Sequence, residues 1–395
     1  MYKRLKVRLY PTEKQKEMLE RHFQGYRFAY NLCLEYKKHL WDNYKVNVSG
    51  FTMQAELFEI RRQSDWLIKC KAECIRDAAL NVDQSYKKFF KGKGFPKFKS
   101  RKGLQAFTAY QAINFKNNKL VFFRNKINFR TSEKYNQLLE SHKIKQCTFK
   151  KDLCGDYFAT LLIETEDTKT LPKTNNKIGI DLGIKDLIIT SEGKVFENKK
   201  YLQSTYYKLR RLQRKFVKTK KGGKNREKLR IKIAKINRKI TRQKEHYYHE
   251  ITNSILNDNQ VIAMESLNVK GMIKNHNLAK SISDASWGML TQMLEYKSNW
   301  YGRDLIMINK WFPSSKTCSG CGNIKETLLL SERTYNCQSC GLSMDRDLNA
   351  SLNILKEGFR ISGTKMPKVP VENSCISRVN ETGNKRITPK GIKQI

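Results

Sequence analysis

Four cysteines near the carboxyl end impose the tightest constraint on how this chain folds. Cys318 and Cys321 form one C-x2-C pair, Cys337 and Cys340 form a second after fifteen intervening residues, and a glycine follows each pair. Two residues between thiolates let both sulfurs of a pair reach one ion, and the glycine lets the backbone turn its amides toward sulfur. The spacing predicts a zinc ribbon in which all four thiolates hold one Zn²⁺. Such a closed site is structural and carries no information about catalysis.

The charge of the chain indicates the class of its partner. Its 78 Lys and Arg stand against 37 Asp and Glu, which gives a net charge of +41. An excess of this size repels itself unless a polyanion neutralises it, and nucleic acid carries enough phosphates. This excludes an ordinary metabolic enzyme and an acidic scaffold. A hydrophobic content of 39% can supply cores for two or three domains, so the chain is not a disordered basic tail.

Other features of the sequence favour a reducing compartment. No stretch approaches the roughly 18 apolar residues of a membrane span, and the first residues lack the apolar region of a secretory signal. The remaining cysteines are scattered, as is typical of small buried side chains or free thiols: Cys33, Cys70, Cys74, Cys147, Cys154 and Cys375. We therefore expect a cytoplasmic protein, nucleoid-associated in a prokaryote, with no membrane partner.

The first half of the chain predicts a sheet interrupted by helices. Apolar and charged residues alternate over 1–10, and Thr12 then begins a capping box for a helix that reaches about Leu40. Helical patterns follow at about 52–62 and 71–91, and short strand-like runs lie between about 105 and 165. The simplest arrangement is a β-barrel of 1–10 and 104–170, with 11–103 as an inserted helical bundle.

After a polar linker at 164–172, the second half mixes short strands with long helices. We expect strands at 177–181, 187–190, 194–196, 261–264 and 305–308, and helices at about 202–220, 226–257 and 284–301. The tail over 363–395 is polar and contains three of the seven prolines, which predicts disorder. The fold class is therefore α+β and multidomain.

Three acids of the second half occupy unusual positions. Asp181 and Glu265 each end a short apolar strand, and Asp347 lies near the start of the last helix. Taken singly, each is more typical of a cap or a turn, because a carboxylate that closes a buried strand is costly unless it is paired or binds a cation. Taken together, three carboxylates from a hairpin, a later strand and a final helix are the ligands that a two-metal phosphodiester site requires.

The order of several short motifs resembles the TnpB family of transposon-encoded, RNA-guided DNA endonucleases, which is related to the type V CRISPR effectors. The resemblance spans almost the whole chain, and its motifs lie at 94–99, 179–183, 265–267, 283–288, 312–318 and 345–350. It implies that Asp181, Glu265 and Asp347 are the catalytic acids of an RNase H-like RuvC nuclease and hold two Mg²⁺ ions. Asp345 is then a neighbour or a fourth acid of the site.

The resemblance also implies a domain layout and partners. The nuclease domain would comprise 175–310 and 344–362, with the zinc ribbon at 311–343 inserted before its last helix. A guide RNA derived from the transposon end would pair with target double-stranded DNA, and the protein would read a short motif beside the target. We expect a monomer.

Two basic segments are candidates for nucleic-acid binding independently of any family. Between Lys208 and Lys244 there are 18 Lys and Arg and one acid, and between Ser85 and Gly103 there are eight Lys and Arg and no acid, interleaved with aromatic residues. Such segments suit backbone tracking and base stacking, although the first is also compatible with a solvated coiled coil. The residues expected on the nucleic-acid backbone are Lys87, Lys88, Lys97, Lys99, Arg210, Arg211, Arg214 and Lys215.

Four further residues are candidates for reading the flanking motif by their position in the family: Arg76, Tyr110, Gln111 and Asn114. Arginine suits guanine edges and Gln or Asn suits adenine edges, while a surface or turn role is the plainer alternative for each.

Three other functions remain open from the sequence. The chain is compatible with a nuclease-inactive repressor guided by RNA, although all three acids are present. It is also compatible with a transposase that joins strands itself, or with a miniature CRISPR effector that uses an array-derived guide.

Overall fold

Strands and helices alternate along the computed structural model, which describes residues 2–110, 113–116, 119–165, 170–329 and 331–363. The strands are β1 (Tyr2–Tyr10), β2 (Gln105–Ala109), β3 (Ile113–Lys116), β4 (Lys119–Phe122), β5 (Asn125–Arg130), β6 (Ile144–Lys151), β7 (Tyr157–Glu164), β8 (Lys177–Leu182), β9 (Asp186–Thr190), β10 (Val195–Glu197), β11 (Val261–Glu265), β12 (Asp304–Ile308), β13 (Thr334–Asn336) and β14 (Ser343–Asp345). The helices are α1 (Glu13–Tyr44), α2 (Gly50–Arg62), α3 (Ala72–Phe90), α4 (Glu133–Ser141), α5 (Tyr201–Lys218), α6 (Lys224–Asp258), α7 (Val269–Met272), α8 (His276–Ala285), α9 (Trp287–Tyr301) and α10 (Arg346–Ser362). None of these helices is long and apolar enough to cross a membrane.

A curled antiparallel sheet organises the first of two compact units, which comprises Met1–Lys173, Lys199–Asn257 and Ser283–Gly302. Its strand order is β2-β6-β7-β1-β5-β4-β3. β1 lies in the middle and pairs with both β7 and β5, so Tyr2–Tyr10 joins the later strands as the sequence predicts. The predicted barrel is a curled sheet whose outer strands are β2 and β3.

The three helices between β1 and β2 share one hydrophobic core with this sheet. Val7 of β1, Phe23 of α1 and Phe149 of β6 are buried in the same cluster. α1 begins as predicted, because the Gln15 side-chain oxygen accepts a hydrogen bond from the Thr12 backbone N–H at 3.1 Å. It continues to Tyr44, beyond the predicted end. The helical insertion and the sheet therefore stabilise each other through common apolar burial.

Two ion pairs hold the basic helix α6 within this unit. Arg238 lies 2.8 Å from Asp152 and also contacts Asp156, at the turn between β6 and β7. Lys244 lies 2.9 Å from Asp284, and both of these side chains are buried. Buried charges of this kind need a partner, so each pair fixes the helix at one point.

The predicted helix near 284–301 is present as α9, which begins at Trp287. It is preceded by α8, which ends at Ala285 and was not predicted. Ser286 separates them with a φ of 49°, a left-handed conformation that an α-helix does not accommodate. Its hydroxyl donates to the Ser283 carbonyl at 2.9 Å and accepts from the Lys244 ammonium at 3.2 Å, which satisfies the break.

A five-stranded mixed sheet organises the second unit, which comprises Thr174–Asn198, Asp258–Ile282 and Arg303–Ile395. The order is β10-β9-β8-β11-β12, in which β8, β11 and β12 are parallel and β9 and β10 complete an antiparallel meander. β8 and β11 carry continuous apolar runs, as is typical of strands that are covered on both faces.

Helix α10 packs against this sheet at two glycines. A Cβ at Gly179 of β8 would collide with the Ser351 carbonyl oxygen and would lie 2.9 Å from the Leu355 Cβ. A Cβ at Gly358 of α10 would lie 2.7 Å from the Ala263 Cβ of β11. Only hydrogen fits at these points, so the glycines set how closely the helix approaches the two strands.

The close contact at Gly179 generates a prediction. Gly179→Ala must push α10 away from β8, so we expect a loss of about 1–3 kcal/mol in the free energy of unfolding. Gly288→Ala in α9 is the matched control, because a Cβ there meets nothing within 4 Å and alanine favours a helix by about 1 kcal/mol. Calorimetric unfolding of both variants measures the effect, and equal stabilities would contradict it.

Candidate functional site

Two of the predicted acids lie at neighbouring strand ends. β8 and β11 run parallel with Ile180 beside Met264, so the next residues, Asp181 and Glu265, extend from adjacent positions of the sheet. Adjacent strands lie about 4.8 Å apart, and residues in equivalent positions project from the same face. The two side chains therefore project from neighbouring positions at the carboxyl edge of the parallel strands.

The third acid arrives on α10. Asp345 caps this helix, since its side-chain oxygen accepts hydrogen bonds from the backbone N–H groups of Asp347 at 2.9 Å and Leu348 at 3.0 Å. Asp345 is therefore the N-cap residue of α10, a role that the sequence also allowed for Asp347. The Asp347 carboxylate lies 3.9 Å from the Arg333 guanidinium, a loose ion pair that leaves it available to a cation.

Electrostatics link the three carboxylates. Burial, followed by the negative charges of Glu265 and Asp347, raises the pKa of Asp181 to about 8. Burial also raises the pKa values of Glu265 and Asp347, and the neighbouring Asp345 adds to the effect on Asp347. Like charges in a partly dry site disfavour one another's ionised forms. Among the described residues, only the four cysteines bring three or more possible ligand atoms within 4.8 Å of one another, so the three carboxylates are neighbours and not one compact ligand cluster.

Ser314 is a residue of this site that the sequence did not reveal. Its hydroxyl donates a hydrogen bond to the Glu265 carboxylate and fixes one of the two oxygens. This bond partly opposes the rise that burial causes in the pKa of Glu265. Ser314 lies 49 positions from Glu265, so no local sequence pattern predicts the contact.

Two asparagines of α10 hold the loop that carries Ser314. The Asn353 amide donates to the Ser314 carbonyl at 2.9 Å, and the Asn349 amide donates to the Thr317 carbonyl at 2.7 Å. The Asn349 oxygen also accepts from the Ser319 N–H at 2.9 Å. Both asparagines are fully buried and lie one helical turn apart. The signal available in the sequence was the pair of asparagines at i and i+4 in the last predicted helix.

The four predicted zinc ligands form a compact sulfur cluster. Their Sγ atoms all lie within 4.8 Å of one another, and the pairs Cys318–Cys340 and Cys321–Cys337 are each 3.6 Å apart. A tetrahedral ion with bonds of about 2.3 Å requires sulfur separations of about 3.8 Å. A disulfide would require about 2.05 Å. The cluster therefore has the dimensions of a four-thiolate zinc site.

Each cysteine pair lies in a turn of the same form. Gly322 and Gly341 adopt φ values of 80° and 71° and donate to the carbonyls of Cys318 and Cys337. Backbone N–H groups, with that of Cys340 foremost, lower the pKa of Cys337 to about 6. Positive φ favours glycine, so the residue after each pair is part of the motif.

The basic candidates lie on exposed surfaces of the first unit. Lys87 and Lys88 occupy the last turn of α3, and Arg210, Arg211, Arg214 and Lys215 are exposed on α5. Lys97 is also exposed. The Lys99 ammonium lies 4.4 Å from the Tyr30 ring centroid, and burial lowers its pKa.

Three of the motif-reading candidates lie on or beside α3 and the first unit's sheet. Arg76 is exposed on α3, and Asn114 is exposed on β3. The Tyr110 hydroxyl donates to Asp77 at 2.7 Å, which places this ring beside the helix that carries Arg76. Gln111 lies outside the described residues.

Comparisons with known proteins agree across most of the chain. Family models match a helix-turn-helix domain of OrfB/IS605 proteins at residues 1–45, the OrfB/IS605 family described as "Probable transposase" at 160–276, and the Cas12f1-like TNB domain at 287–354. The fold is similar to a chain of a Cas12f1–sgRNA–target DNA complex, with a TM-score of 0.51 and 15% identity over 90% of this chain and 98% of that one.

Two sequence relatives carry related names. A protein of Streptomyces pristinaespiralis, provisionally named an RNA-guided DNA endonuclease, is 34% identical over 90% of this chain and 89% of its own length. The TnpB-like protein L770 of Acanthamoeba polyphaga mimivirus is 26% identical over 90% of this chain and 73% of its own length. Together with the acid cluster and the four-thiolate ribbon, this similarity shows that the chain belongs to the TnpB family.

Proposed function

We propose that this protein is an RNA-guided DNA endonuclease that cleaves double-stranded DNA beside a short flanking motif, in association with a transposable element. The observation that carries the proposal is the convergence of Asp181, Glu265 and Asp347 from three distant segments. Their mutual electrostatic effect on Asp181 is that of a shared site. The names of the relatives support the same activity, and the family model described as "Probable transposase" supports the association with a transposable element.

The three carboxylates would hold two divalent cations, with Mg²⁺ the expected ion. Such a cation pair supplies activation of a water and stabilisation of the leaving oxygen of a phosphodiester. The chain itself would position the ligands of the cations. β8 and β11 carry two acids on adjacent strands, α10 carries the third, and Ser314 orients Glu265. Asp345 is occupied as a helix cap, which favours three ligands over four.

The zinc ribbon would act as a support for this site. Asn349 and Asn353 join α10 to the loop between Ser314 and Ser319, where the ribbon begins. We assign 311–343 to the ribbon, 175–310 and 344–362 to a RuvC-like domain, and 1–10, 11–103 and 104–170 to regions that bind RNA and duplex DNA.

Guide RNA and target DNA would occupy the basic surfaces. α5 and α6 carry a long excess of one charge, which suits a polyanion and gives affinity without sequence information. Recognition of the flanking motif would fall to the exposed Arg76 and Asn114, while Tyr110 is engaged by Asp77. A guide from the transposon end is the expected source of target specificity.

Loss of one acid should abolish cleavage and spare binding. We expect Asp181→Asn to lower the rate of plasmid cleavage about a thousand-fold or more, equal to about 4 kcal/mol of barrier. Asp304→Asn is the matched control, since Asp304 begins β12 at the opposite edge of the same sheet. The assay uses the protein with its co-purified RNA and a library of randomised flanks, with and without Mg²⁺.

Two outcomes of that assay would contradict the proposal. Cleavage that persists in Asp181→Asn or without a divalent cation would overturn the metal site. Binding of the target without any cleavage by the wild-type protein would favour the repressor.

The raised pKa of Asp181 predicts how stability depends on pH. Between its ordinary value of about 3.9 and about 8, the folded chain keeps a proton that the unfolded chain has released, so stability falls as the pH rises through this window. In magnesium-free buffer at about pH 8.5 we expect Asp181→Asn to unfold about 2–4 °C above the wild type, with no difference at about pH 4. Added Mg²⁺ should raise the Tm of the wild type alone. Calorimetry across this range measures it, and a Tm difference that does not depend on pH would refute the linkage.

Zinc content tests the ribbon. Cys340→Ser should lose the stoichiometric zinc and unfold the ribbon, because a structural zinc contributes roughly 10–16 kcal/mol to the folding of small domains. RNA binding should remain. Cys154→Ser, which changes a half-buried thiol outside the cluster, is the matched control. Elemental analysis of the purified variants decides the question, and a full zinc content in Cys340→Ser would contradict the assignment.

A further inference from the structure

Trp311 is exposed beside the acid cluster. Its side chain is 80% accessible to solvent, although burial of a tryptophan normally removes 150–250 Å² from water and stabilises a fold. The residue follows β12, whose last residue, Ile308, pairs with Glu265. An indole left in solvent at this point calls for a role other than packing.

The turn that presents Trp311 is well fixed. The Asn309 side-chain oxygen accepts a hydrogen bond from the backbone N–H of Trp311 at 3.0 Å. The Asn309 backbone carbonyl accepts one from the backbone N–H of Phe312 at 3.1 Å. The Phe312 ring turns inward and packs against the cluster that contains Ile354. The Phe312 ring therefore anchors the turn, and the Trp311 ring remains exposed to solvent.

A cation accompanies the exposed ring. The Lys310 ammonium lies 4.8 Å from the Trp311 ring centroid, within range of a cation–π interaction. A flat aromatic face beside a positive charge matches the two parts of a nucleotide, a base and a phosphate. A protein partner is a poorer match, because a specific interface buries more than about 1,000 Å², far beyond one indole.

The distance from Trp311 to the acids is short. Ile308, paired with Glu265, and Ser314, bonded to Glu265, each lie three residues from Trp311. Three residues span at most about 11 Å and paired strands lie about 4.8 Å apart, so the backbones of Trp311 and Glu265 lie within about 16 Å, equal to roughly five nucleotides at 3.4 Å each. A base on this ring would therefore belong to the same strand segment as a phosphodiester at the carboxylates.

We propose that Trp311 is a stacking platform for an unpaired base of the DNA strand presented to Asp181, Glu265 and Asp347, with Lys310 facing an adjacent phosphate. The ligand is single-stranded DNA of any sequence, since every base has a face to stack and a paired base does not expose one. This inference rests on the proposed function.

Kinetics of single-stranded target cleavage by the RNA-bound protein provide the first test. Trp311→Ala and Trp311→Leu should raise KM about 5- to 150-fold and change kcat less than about threefold, while Trp311→Phe and Trp311→Tyr stay within about threefold of wild type. Leu329→Ala is the matched control, because this side chain is also large, apolar and exposed, at 65%, but lies in the ribbon at 311–343, outside the regions assigned to RNA and duplex DNA. An unchanged KM in Trp311→Ala, or equal rescue by leucine and phenylalanine, would overturn the proposal.

Fluorescence separates this inference from the proposed function. In the Asp181→Asn background, an oligothymidine should quench tryptophan emission, and Trp311→Phe should remove most of that quenching while Trp300→Phe, at a half-buried tryptophan of α9, preserves it. If the wild type does not cleave but this quenching is found, the proposed function fails and the stacking inference stands. If the wild type cleaves and quenching is equal in both phenylalanine variants, the stacking inference alone fails.

Discussion

The closeness of α10 to the sheet is the constraint on which the second unit depends. Gly179 and Gly358 carry no side chain where the helix crosses β8 and β11, so backbone and side-chain atoms occupy the space of a Cβ. The same helix supplies Asp347 at its first turn and the buried Asn349 and Asn353 further along. The contact of α10 with β8 and β11 thus determines the positions of Asp347, the loop of Ser314 and the start of the ribbon.

That arrangement is unfavourable without a ligand. Burial disfavours the charged form of all three carboxyls, and the negative charges of Glu265 and Asp347 raise the pKa of Asp181 further. The apolar strands around them, with Ile178, Ile180, Ile262 and Met264 buried, supply the burial that keeps the edge folded. The stability that this apolar burial gives the sheet offsets the cost of placing the acids in a partly buried site, as is common at functional centres.

Features with a local signature could be predicted from the sequence, and long-range contacts could not. The cysteine spacing and the apolar strands ending in Asp181 and Glu265 are local, and the structure brings their members together. The Ser314–Glu265 bond and the break at Ser286 depend on distant partners such as Lys244. The choice of Asp345 over Asp347 as cap shifts the start of the helix by two residues, which sequence patterns do not resolve.

The ion pairs made by Arg238 and Lys244 affect how α6 would bind a polyanion. Arg238 and Lys244 lie six positions apart, so they face directions about 120° apart around the helix axis, and each is tied to a carboxylate. A helix held on two sides cannot roll. The remaining lysines and arginines therefore keep a fixed angular arrangement before any nucleic acid arrives, and the entropy of aligning that row of charges is lost during folding rather than during binding.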